Sequence, residues 1–236
     1  MTEVVRTRCP ICKSESFGDF RGRKNARCQG CGGFERSRLL WLVLSALPIQ
    51  DTRLPFFHFA PEIGIAKRLQ DFLGAKYRPF DFDPDIYAKG GVAAERFDLC
   101  QDLIKISPNS VGAICHVHVM EHVRCNAAFV LKGLNDKLCL GGYHVMGVPF
   151  FSKRYREDLS EELTAEDRLE KFGHEDHVRS FGTDDFSLMF APAFEGMQKV
   201  SMRDLIPSKL FEEANIPSRA LSENNTHEIM VWKKIN

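Results

Sequence analysis

The amino-acid sequence predicts an α/β fold with a mostly parallel sheet and an antiparallel edge, preceded by a small metal-binding module. From residue 54 onward, short apolar runs rich in aromatic and β-branched residues alternate with helical runs, a pattern typical of βαβ units. The last two strand-like runs are joined by a polar loop, which predicts an antiparallel pair at the sheet edge. Upstream, two C-x-x-C pairs indicate the separate module.

Four of the eight cysteines form this N-terminal module. The pairs "CPIC" and "CQGC" are separated by fifteen residues, and each pair can form a tight turn that directs two thiolates at one point. A redox dithiol and a disulfide are the alternatives, but the paired spacing favours zinc. Four cysteines fill a tetrahedral site, so the zinc is expected to be structural. The sequence therefore predicts a zinc ribbon over residues 1–34, with the ligands Cys9, Cys12, Cys28 and Cys31.

A connecting helix is predicted over residues 35–48, because apolar residues recur at helical spacing from Leu39 to Leu47 and Pro48 ends the run. Arg36 and Arg38 are assigned to the solvated face of this helix, with contact to a ligand as the alternative. The helix belongs to a second domain, residues 35–236. The cysteines outside the module are expected to be small core residues: Cys100, Cys115, Cys125 and Cys139.

The main domain is predicted to contain five parallel strands and a closing antiparallel pair. The parallel strands are "LPFFHFA" (54–60), "AKYRPFDFD" (75–83), "RFDLCQDL" (96–103), "VGAICHVHV" (111–119) and "YHVMGVPFF" (143–151), and the closing pair covers 197–202 and 227–234. Helices are predicted over 62–74, 127–142 and 184–194. Ligands bind at the carboxyl ends of parallel strands. This rule selects residues 58–64, Asp81, Asp83, Asp102 and 116–122.

Charge and hydropathy limit the location and the partners. The chain carries 32 basic and 32 acidic residues, so no global field attracts it to nucleic acid or to an anionic membrane. The N-terminus lacks an apolar signal region, and the longest apolar run, residues 39–47, is too short to cross a bilayer. We therefore expect a cytoplasmic protein without a membrane partner, whose cysteines stay reduced unless a metal binds them.

Four motifs occur in a characteristic order: the four cysteines followed by "RSRLLWL", then "HFAPE", "HVMEHV" and "FGHEDHVRSFG". In this order they resemble the class I S-adenosylmethionine-dependent methyltransferases, in particular a subgroup with an N-terminal zinc ribbon. The resemblance covers essentially the whole chain. It implies a Rossmann-like methyltransferase sheet and methyl transfer from S-adenosylmethionine to a small acceptor, such as a hydroxyl of a sugar or natural-product intermediate.

The resemblance also implies the residues that bind the cofactor. The first loop would wrap the methionine and ribose, Asp81 would bind the ribose hydroxyls beside Asp83, and Asp102 with Leu103 would contact the adenine. His116 and His118 would line the floor below the sulfonium. The residues implied in the first loop are His58, Phe59, Ala60, Glu62 and Gly64.

The first loop departs from the pattern of the family, which has an acid followed by G-x-G-x-G. Here His58, Ala60 and Glu62 occupy those positions, and only Gly64 matches. Fewer glycines restrict how closely the backbone can approach a ligand. Glu62 is expected to compensate by pairing with the ammonium or sulfonium charge of the cofactor.

The octet "HVHVMEHV" (116–123) has three interpretations. His118, Glu121 and His122 form H-x-x-E-H, the motif of inverted zinc metallopeptidases, but the valines are poor helix formers and argue against that class. The segment is also similar to ubiquinone-type methyltransferases, which bind a divalent metal there, so a second metal at Glu121 and His122 is an alternative. In the third interpretation His122 caps a helix beneath the site.

A late histidine-rich loop, residues 173–182, is expected to cover the substrate. A histidine with a pKa near neutrality suits the removal of a proton from an acceptor hydroxyl. His177 is the first candidate for this base, and His118 and His122 are the further catalytic candidates. Arg179 is assigned to a substrate anion or a structural ion pair. A polar surface loop without catalytic function is the alternative.

Two other functions remain open at this point. Basic residues in the ribbon are compatible with an RNA methyltransferase that uses the ribbon to hold RNA. The glycine-poor first loop is compatible with a degenerate, non-catalytic protein that only binds partners.

Overall fold

The computed structural model describes residues 6–222, 225 and 228–236. The first five residues of the predicted ribbon and His227 of the predicted last strand lie outside the described residues. Twelve strands run in chain order as β1 (Phe17–Phe20), β2 (Arg23–Cys28), β3 (Phe56–Phe59), β4 (Tyr77–Asp81), β5 (Glu95–Arg96), β6 (Val111–Val117), β7 (Leu138–Gly147), β8 (Phe150–Ser152), β9 (Arg156–Glu157), β10 (Arg179–Gly182), β11 (Met197–Val200) and β12 (Met230–Lys234) in the described part of the chain.

Seven α-helices accompany these strands within the described residues. They are α1 (Glu35–Ala46), α2 (Ile63–Leu73), α3 (Ala127–Lys137), α4 (Ala165–Phe172), α5 (Phe186–Phe190), α6 (Met202–Leu205) and α7 (Ser208–Glu213). None of the described helices is long and apolar enough to span a bilayer.

The central sheet has seven strands in the order β11-β12-β7-β6-β3-β4-β5. Strands β3 to β7 are parallel, whereas β12 runs antiparallel to β7 and β11 antiparallel to β12. The order reverses between β3 and β6, which is where open α/β sheets bind ligands. The predicted α/β class, its mostly parallel sheet and its antiparallel edge are confirmed.

Each face of the sheet carries its own hydrophobic core, because successive strand residues point to opposite faces. Phe56 and Cys115 belong to the cluster shared with α1 and α2, whereas Phe57 and Ile114 belong to the cluster shared with α3. Helix α2 follows the expected spacing, since Ile65, Ala66, Leu69 and Leu73 are its buried residues.

The cysteine module packs directly against the first of these cores. Strands β1 and β2 form an antiparallel hairpin, and Cys9, Ile11 and Cys28 belong to the same buried cluster as α1. Arg38, which the sequence assigned to a solvated face, is fully buried. Its guanidinium donates to the carbonyl oxygens of Ala26 and Gly33 in the module and of Ala214 and Asn215 near the C-terminus.

Three element predictions are wrong. The connection between β11 and β12, expected as a polar loop, contains the short helices α6 and α7. The third strand, expected over 96–103, is limited to Glu95–Arg96, because the chain then turns at Asp98. Asp98 accepts from the backbone N–H of Cys100, and Asp102 begins a 3₁₀ helix. The helix expected over 127–142 ends at Lys137, and the apolar "LCLGG" that follows opens β7.

The cysteines outside the module do not all lie in the core. Cys115 is buried in β6, as expected. Cys100 and Cys125 form a disulfide and Cys139 is half-buried, so the expectation that these cysteines are reduced core residues is wrong for Cys100 and Cys125. The disulfide joins the turn after β5 to the turn before α3.

Candidate functional site

The candidate site lies at the carboxyl ends of β3, β4 and β6. His58 and Phe59 belong to β3 and their side chains are buried, so the expected loop begins only at Ala60. Ala60 has a φ of 48°, in the left-handed region that favours glycine, and its N–H donates to the carbonyl of Phe80. The turn therefore has the conformation of a glycine-containing loop while carrying a methyl group.

Asp81 ends β4 with both carboxylate oxygens engaged. One oxygen accepts from the backbone N–H of Asp83 at 2.8 Å, and the other accepts from the Tyr87 hydroxyl at 2.7 Å. Burial and the neighbouring Asp81 raise the pKa of Tyr87, which keeps the phenol protonated as a donor. These two contacts hold the carboxylate at the strand tip.

Asp102 and Leu103 lie on the 3₁₀ segment beyond β5. The Lys105 ammonium, 2.6 Å from Asp102, lowers the pKa of Asp102 together with the backbone N–H of Asp98. Leu103 is buried in the core next to α3. The assignment of both residues to the adenine stays a prediction.

Arg36 extends from the first turn of α1 to the ends of two sheet strands. Its Nη1 lies 2.9 Å from Nε2 of His118, and its Nε lies 3.9 Å from Oε1 of Glu62. Arg36 Nε and Glu62 Oε1 are buried and have no hydrogen-bond partner in the described part of the chain. Two opposite charges with unused hydrogen-bonding capacity therefore face each other beside the first loop. The sequence had assigned Arg36 to solvent, so this contact was missed.

The buried histidines of the sheet have polar partners on its two faces, His58 on one face and His116 with His144 on the other. His58 Nδ1 lies 3.0 Å from the Tyr77 hydroxyl, and His116 Nε2 lies 2.9 Å from His144 Nε2. His144 Nδ1 in turn lies 2.6 Å from Oδ1 of Asn135. Burial lowers the pKa of His58 to about 3 and that of His116 to about 4. These rings are therefore neutral near pH 7.

The histidine octet is a strand followed by a turn. His116 lies in β6, and His118 begins the turn with a φ of 57°. Helix α3 begins only at Ala127, where Asn126 caps it by accepting from the N–H of Phe129. A metallopeptidase helix through His118 and His122 is therefore excluded, and the expectation that His122 caps a helix is wrong.

A second cluster joins this turn to the late loop. One ligand atom each of Glu121, His122 and His177 lies within 4.8 Å of the others. His122 and His177 pack edge to face with ring centroids 4.8 Å apart. His177 is nearly buried, and this burial lowers its pKa. The structure thus brings two predicted catalytic histidines together with Glu121, and His118 Nδ1 lies 3.3 Å from Glu121 Oε1.

Arg179 has a structural role. Its fully buried guanidinium donates to the carbonyl oxygens of Met120 and Cys125 and pairs with Glu157 at 2.7 Å. These contacts use its donors within the protein, which favours the predicted structural pairing over binding of a substrate anion.

The four cysteines of the module have the geometry of a metal site. Their sulfur atoms all lie within 4.8 Å of one another, with Cys9 and Cys31 at 3.8 Å and Cys12 and Cys28 at 3.5 Å. Zinc–sulfur bonds of about 2.3 Å place the sulfurs of a tetrahedral site about 3.8 Å apart. The observed cluster fits a bound zinc ion.

Comparison with known proteins identifies similar folds but no relative by sequence. No family model matches the sequence, and no curated protein matches it. Among solved structures, an S-adenosylmethionine-dependent methyltransferase from Mesorhizobium loti is similar, with a TM-score of 0.51, 15% identity, and coverage of 83% of this chain and 97% of that one. An Archaeoglobus fulgidus methyltransferase gives a TM-score of 0.50 at 12% identity, over 86% of this chain and 95% of that one.

A third similar structure is the complex between the Haloferax volcanii Trm112 methyltransferase activator and a candidate methyltransferase. Its TM-score is 0.51 at 12% identity, over 84% of this chain and 89% of that one. Together these structures show that the chain has the fold of the class I S-adenosylmethionine-dependent methyltransferases, as the resemblance implied.

Proposed function

We propose that this chain transfers a methyl group from S-adenosylmethionine to a small acceptor, most simply a hydroxyl. One observation carries the proposal: Asp81 ends β4, and Glu62 and Arg36 meet just beyond the end of the neighbouring strand β3, in a sheet shared with methyltransferases. A fold alone does not determine function. Asp81 would bind the ribose, Glu62 the ammonium and Arg36 the carboxylate of one cofactor molecule.

Each cofactor contact follows from the charge and position of a side chain. Asp81 can accept from two vicinal hydroxyls once it exchanges the Tyr87 hydroxyl for the ribose. Glu62 would bind the ammonium and Arg36 the carboxylate of the methionine portion, because each has a buried polar atom without a hydrogen bond in the described residues. His116 and His118 lie at the end of β6, where the floor of the site is expected.

The chemistry requires alignment, exclusion of water and removal of one proton. When bound, the cofactor supplies an electrophilic methyl group. The turn after β6 and the loop before β10 would align the acceptor oxygen and exclude water. His177 Nδ1 donates to the carbonyl of Phe172 at 3.3 Å, which leaves its Nε2 lone pair to accept the proton of an acceptor hydroxyl. His118 and His122 remain the further catalytic candidates.

The N-terminal module would contribute structure. We propose that residues 1–34 form a zinc ribbon whose four thiolates fill the coordination sphere, and that residues 35–236 form the methyltransferase domain. Two basic side chains of the module are paired with acids, Arg6 with Glu15 and Arg23 with Glu35. This pairing weakens the case for RNA as the acceptor, so a small molecule is preferred.

Calorimetric titration with S-adenosylmethionine tests the proposal. The wild type should bind, and Asp81→Ala should bind at least tenfold more weakly, because the ribose contact is lost. Asp85→Ala is the matched control, since Asp85 is an exposed carboxylate four residues further along. Absence of binding by the wild type would favour the degenerate, non-catalytic protein. Equal affinity of the two variants would contradict the ribose assignment.

A further inference from the structure

Glu121 is the most unusual polar side chain in the described structure. It is fully buried, yet neither of its carboxylate oxygens accepts a hydrogen bond from the residues that the structure describes. Its nearest polar neighbour is Nδ1 of His118, 3.3 Å from Oε1. A buried carboxylate without hydrogen bonds is costly unless a cation offsets its charge.

Two histidines next to Glu121 have one ring nitrogen fixed by an outer partner. Nδ1 of His177 donates to the carbonyl of Phe172 at 3.3 Å, and Nδ1 of His122 lies 3.3 Å from the carboxylate of Asp176. In each ring Nε2 is then the nitrogen that carries the lone pair. Histidines that bind metals characteristically donate their other N–H to a carbonyl or carboxylate in this way.

Backbone contacts hold the two segments of the cluster together. The N–H of Val178, next to His177, donates to the carbonyl of Glu121 at 2.9 Å. Arg179 clamps the same turn through the carbonyls of Met120 and Cys125. The side chains of Glu121, His122 and His177 are therefore positioned by a rigid frame, with their ligand atoms within 4.8 Å of one another.

We infer that Glu121, His122 and His177 bind a divalent transition-metal ion. Two imidazoles and one carboxylate favour zinc, iron, cobalt or manganese over magnesium and calcium, which prefer oxygen ligands. Three protein ligands leave coordination positions open. The His122 side chain is 39% exposed whereas Glu121 and His177 are buried, so solvent reaches the inferred site from the side of His122.

The consequence for catalysis rests on the proposed function. A nitrogen that binds a metal cannot also accept a proton, so the metal would replace His177 as the group that activates the acceptor. A metal ion acts on an oxygen nucleophile by lowering its pKa. The acceptor would then bind at the metal through its hydroxyl oxygen, and its proton would pass to solvent water on the exposed side of His122.

Cobalt titration tests the site in the intact, zinc-loaded protein. With the cysteine module occupied by zinc, added Co²⁺ should bind at one further site per chain and give visible absorption without the thiolate charge-transfer bands of the module. The variants Glu121→Gln, His122→Ala and His177→Ala should each weaken Co²⁺ binding at least tenfold. His174→Ala is the matched control, because His174 stacks on His177 but is not a ligand of the inferred site.

The outcomes separate the metal site from its alternatives. Failure of the wild type to bind Co²⁺, or unchanged affinity in the three ligand variants, would overturn the inference. A loss in His174→Ala equal to that in His122→Ala would also overturn it, in favour of the neighbouring group His174, Asp176 and His177. Binding of S-adenosylmethionine is measured on the same variants, so failure of the metal site is distinguished from failure of the proposed function or of folding.

Discussion

Two arginines only two residues apart on α1 have different roles at the residue scale. Arg38 is fully buried and its guanidinium donates to four backbone carbonyls. Arg36 is partly exposed and contacts His118 and Glu62 at the strand ends. The sequence pattern could not assign these roles, because at helical spacing Arg36 continues the apolar face of Leu40, whereas the buried Arg38 lies on the opposite face. Burial of an arginine by carbonyl oxygens depends on segments distant in the chain.

We expect substitutions of these arginines to separate stability from binding. Arg38→Met should lower the free energy of unfolding by about 3 kcal/mol, because four carbonyl oxygens lose a charged donor. Arg36→Gln should leave stability nearly unchanged and weaken binding of S-adenosylmethionine about tenfold. Denaturant unfolding and calorimetry on both variants measure the two effects. The assigned roles would be contradicted if Arg36→Gln lowered the free energy of unfolding and Arg38→Met weakened only the binding of S-adenosylmethionine.

The positions of functional side chains were predictable where the spacing of residues along the sequence determines them. The four cysteines of the module converge as their two C-x-x-C pairs indicated. Asp81 lies at a strand tip as expected. The contact between His122 and His177, which are 55 positions apart, does not follow from any spacing. The contacts of His122 with Asp176 and of Arg179 with Met120 were not predictable, because they depend on how the late loop folds onto the octet.

At the scale of elements, hydrophobic patterns predicted that a strand exists more reliably than they predicted where it ends. "VGAICHV" became a central strand, and the closing pair formed the antiparallel edge. Phe97 and Leu99 are buried as their apolar character suggests, but side-chain hydrogen bonds of Asp98 and Asp102 to backbone N–H groups favour a turn there. The end of α3 was misplaced because "LCLGG" fits both a helix end and a twisted strand start.

The neighbouring strands β3 and β6 bury histidines that should make stability depend on pH. His58 and His116 have pKa values lowered by burial to about 3 and about 4, against about 6.5 in an unfolded chain. Their stabilising contribution is therefore complete above about pH 6.5. It is lost as the pH falls from there toward about 4, because only the unfolded chain binds the protons.

We expect the free energy of unfolding to fall by about 2 kcal/mol for each of these two histidines between pH 7.5 and pH 5.0. Denaturant unfolding of His58→Phe at both pH values should show a correspondingly smaller pH-dependent loss. Tyr77→Phe is the control, since it removes the hydroxyl bonded to His58 but keeps the titrating ring. A pH dependence that is equal in His58→Phe and the wild type would refute this origin.

At the scale of the whole molecule, the cysteine module is joined to the site through shared contacts. Arg8 N–H donates to the carbonyl of Glu213 at 2.6 Å, and the Asn215 amide donates to the carbonyl of Asn25 at 2.9 Å. Gly64, which was expected in the first loop, lies in the first turn of α2, and a Cβ placed on it would meet Ile11 of the module at 4.0 Å. Helix α1 begins directly after the module and carries Arg36 to the strand ends. The ribbon is therefore expected to position the cofactor site as well as to fold itself.

Loss of zinc should consequently affect the entire chain. In Cys12→Ser the tetrahedral site loses one thiolate, and the module is too small to fold without its metal. We expect a melting temperature lower by at least about 5 °C and binding of S-adenosylmethionine about tenfold weaker, because α1 no longer holds Arg36 in place. Zinc content, thermal unfolding and calorimetry are measured together, with Cys139→Ser as the control, since Cys139 is a half-buried thiol remote from the module in sequence. If Cys12→Ser lost its zinc but kept wild-type cofactor affinity, the module would be an independent unit, and the coupling through α1 would be disproved.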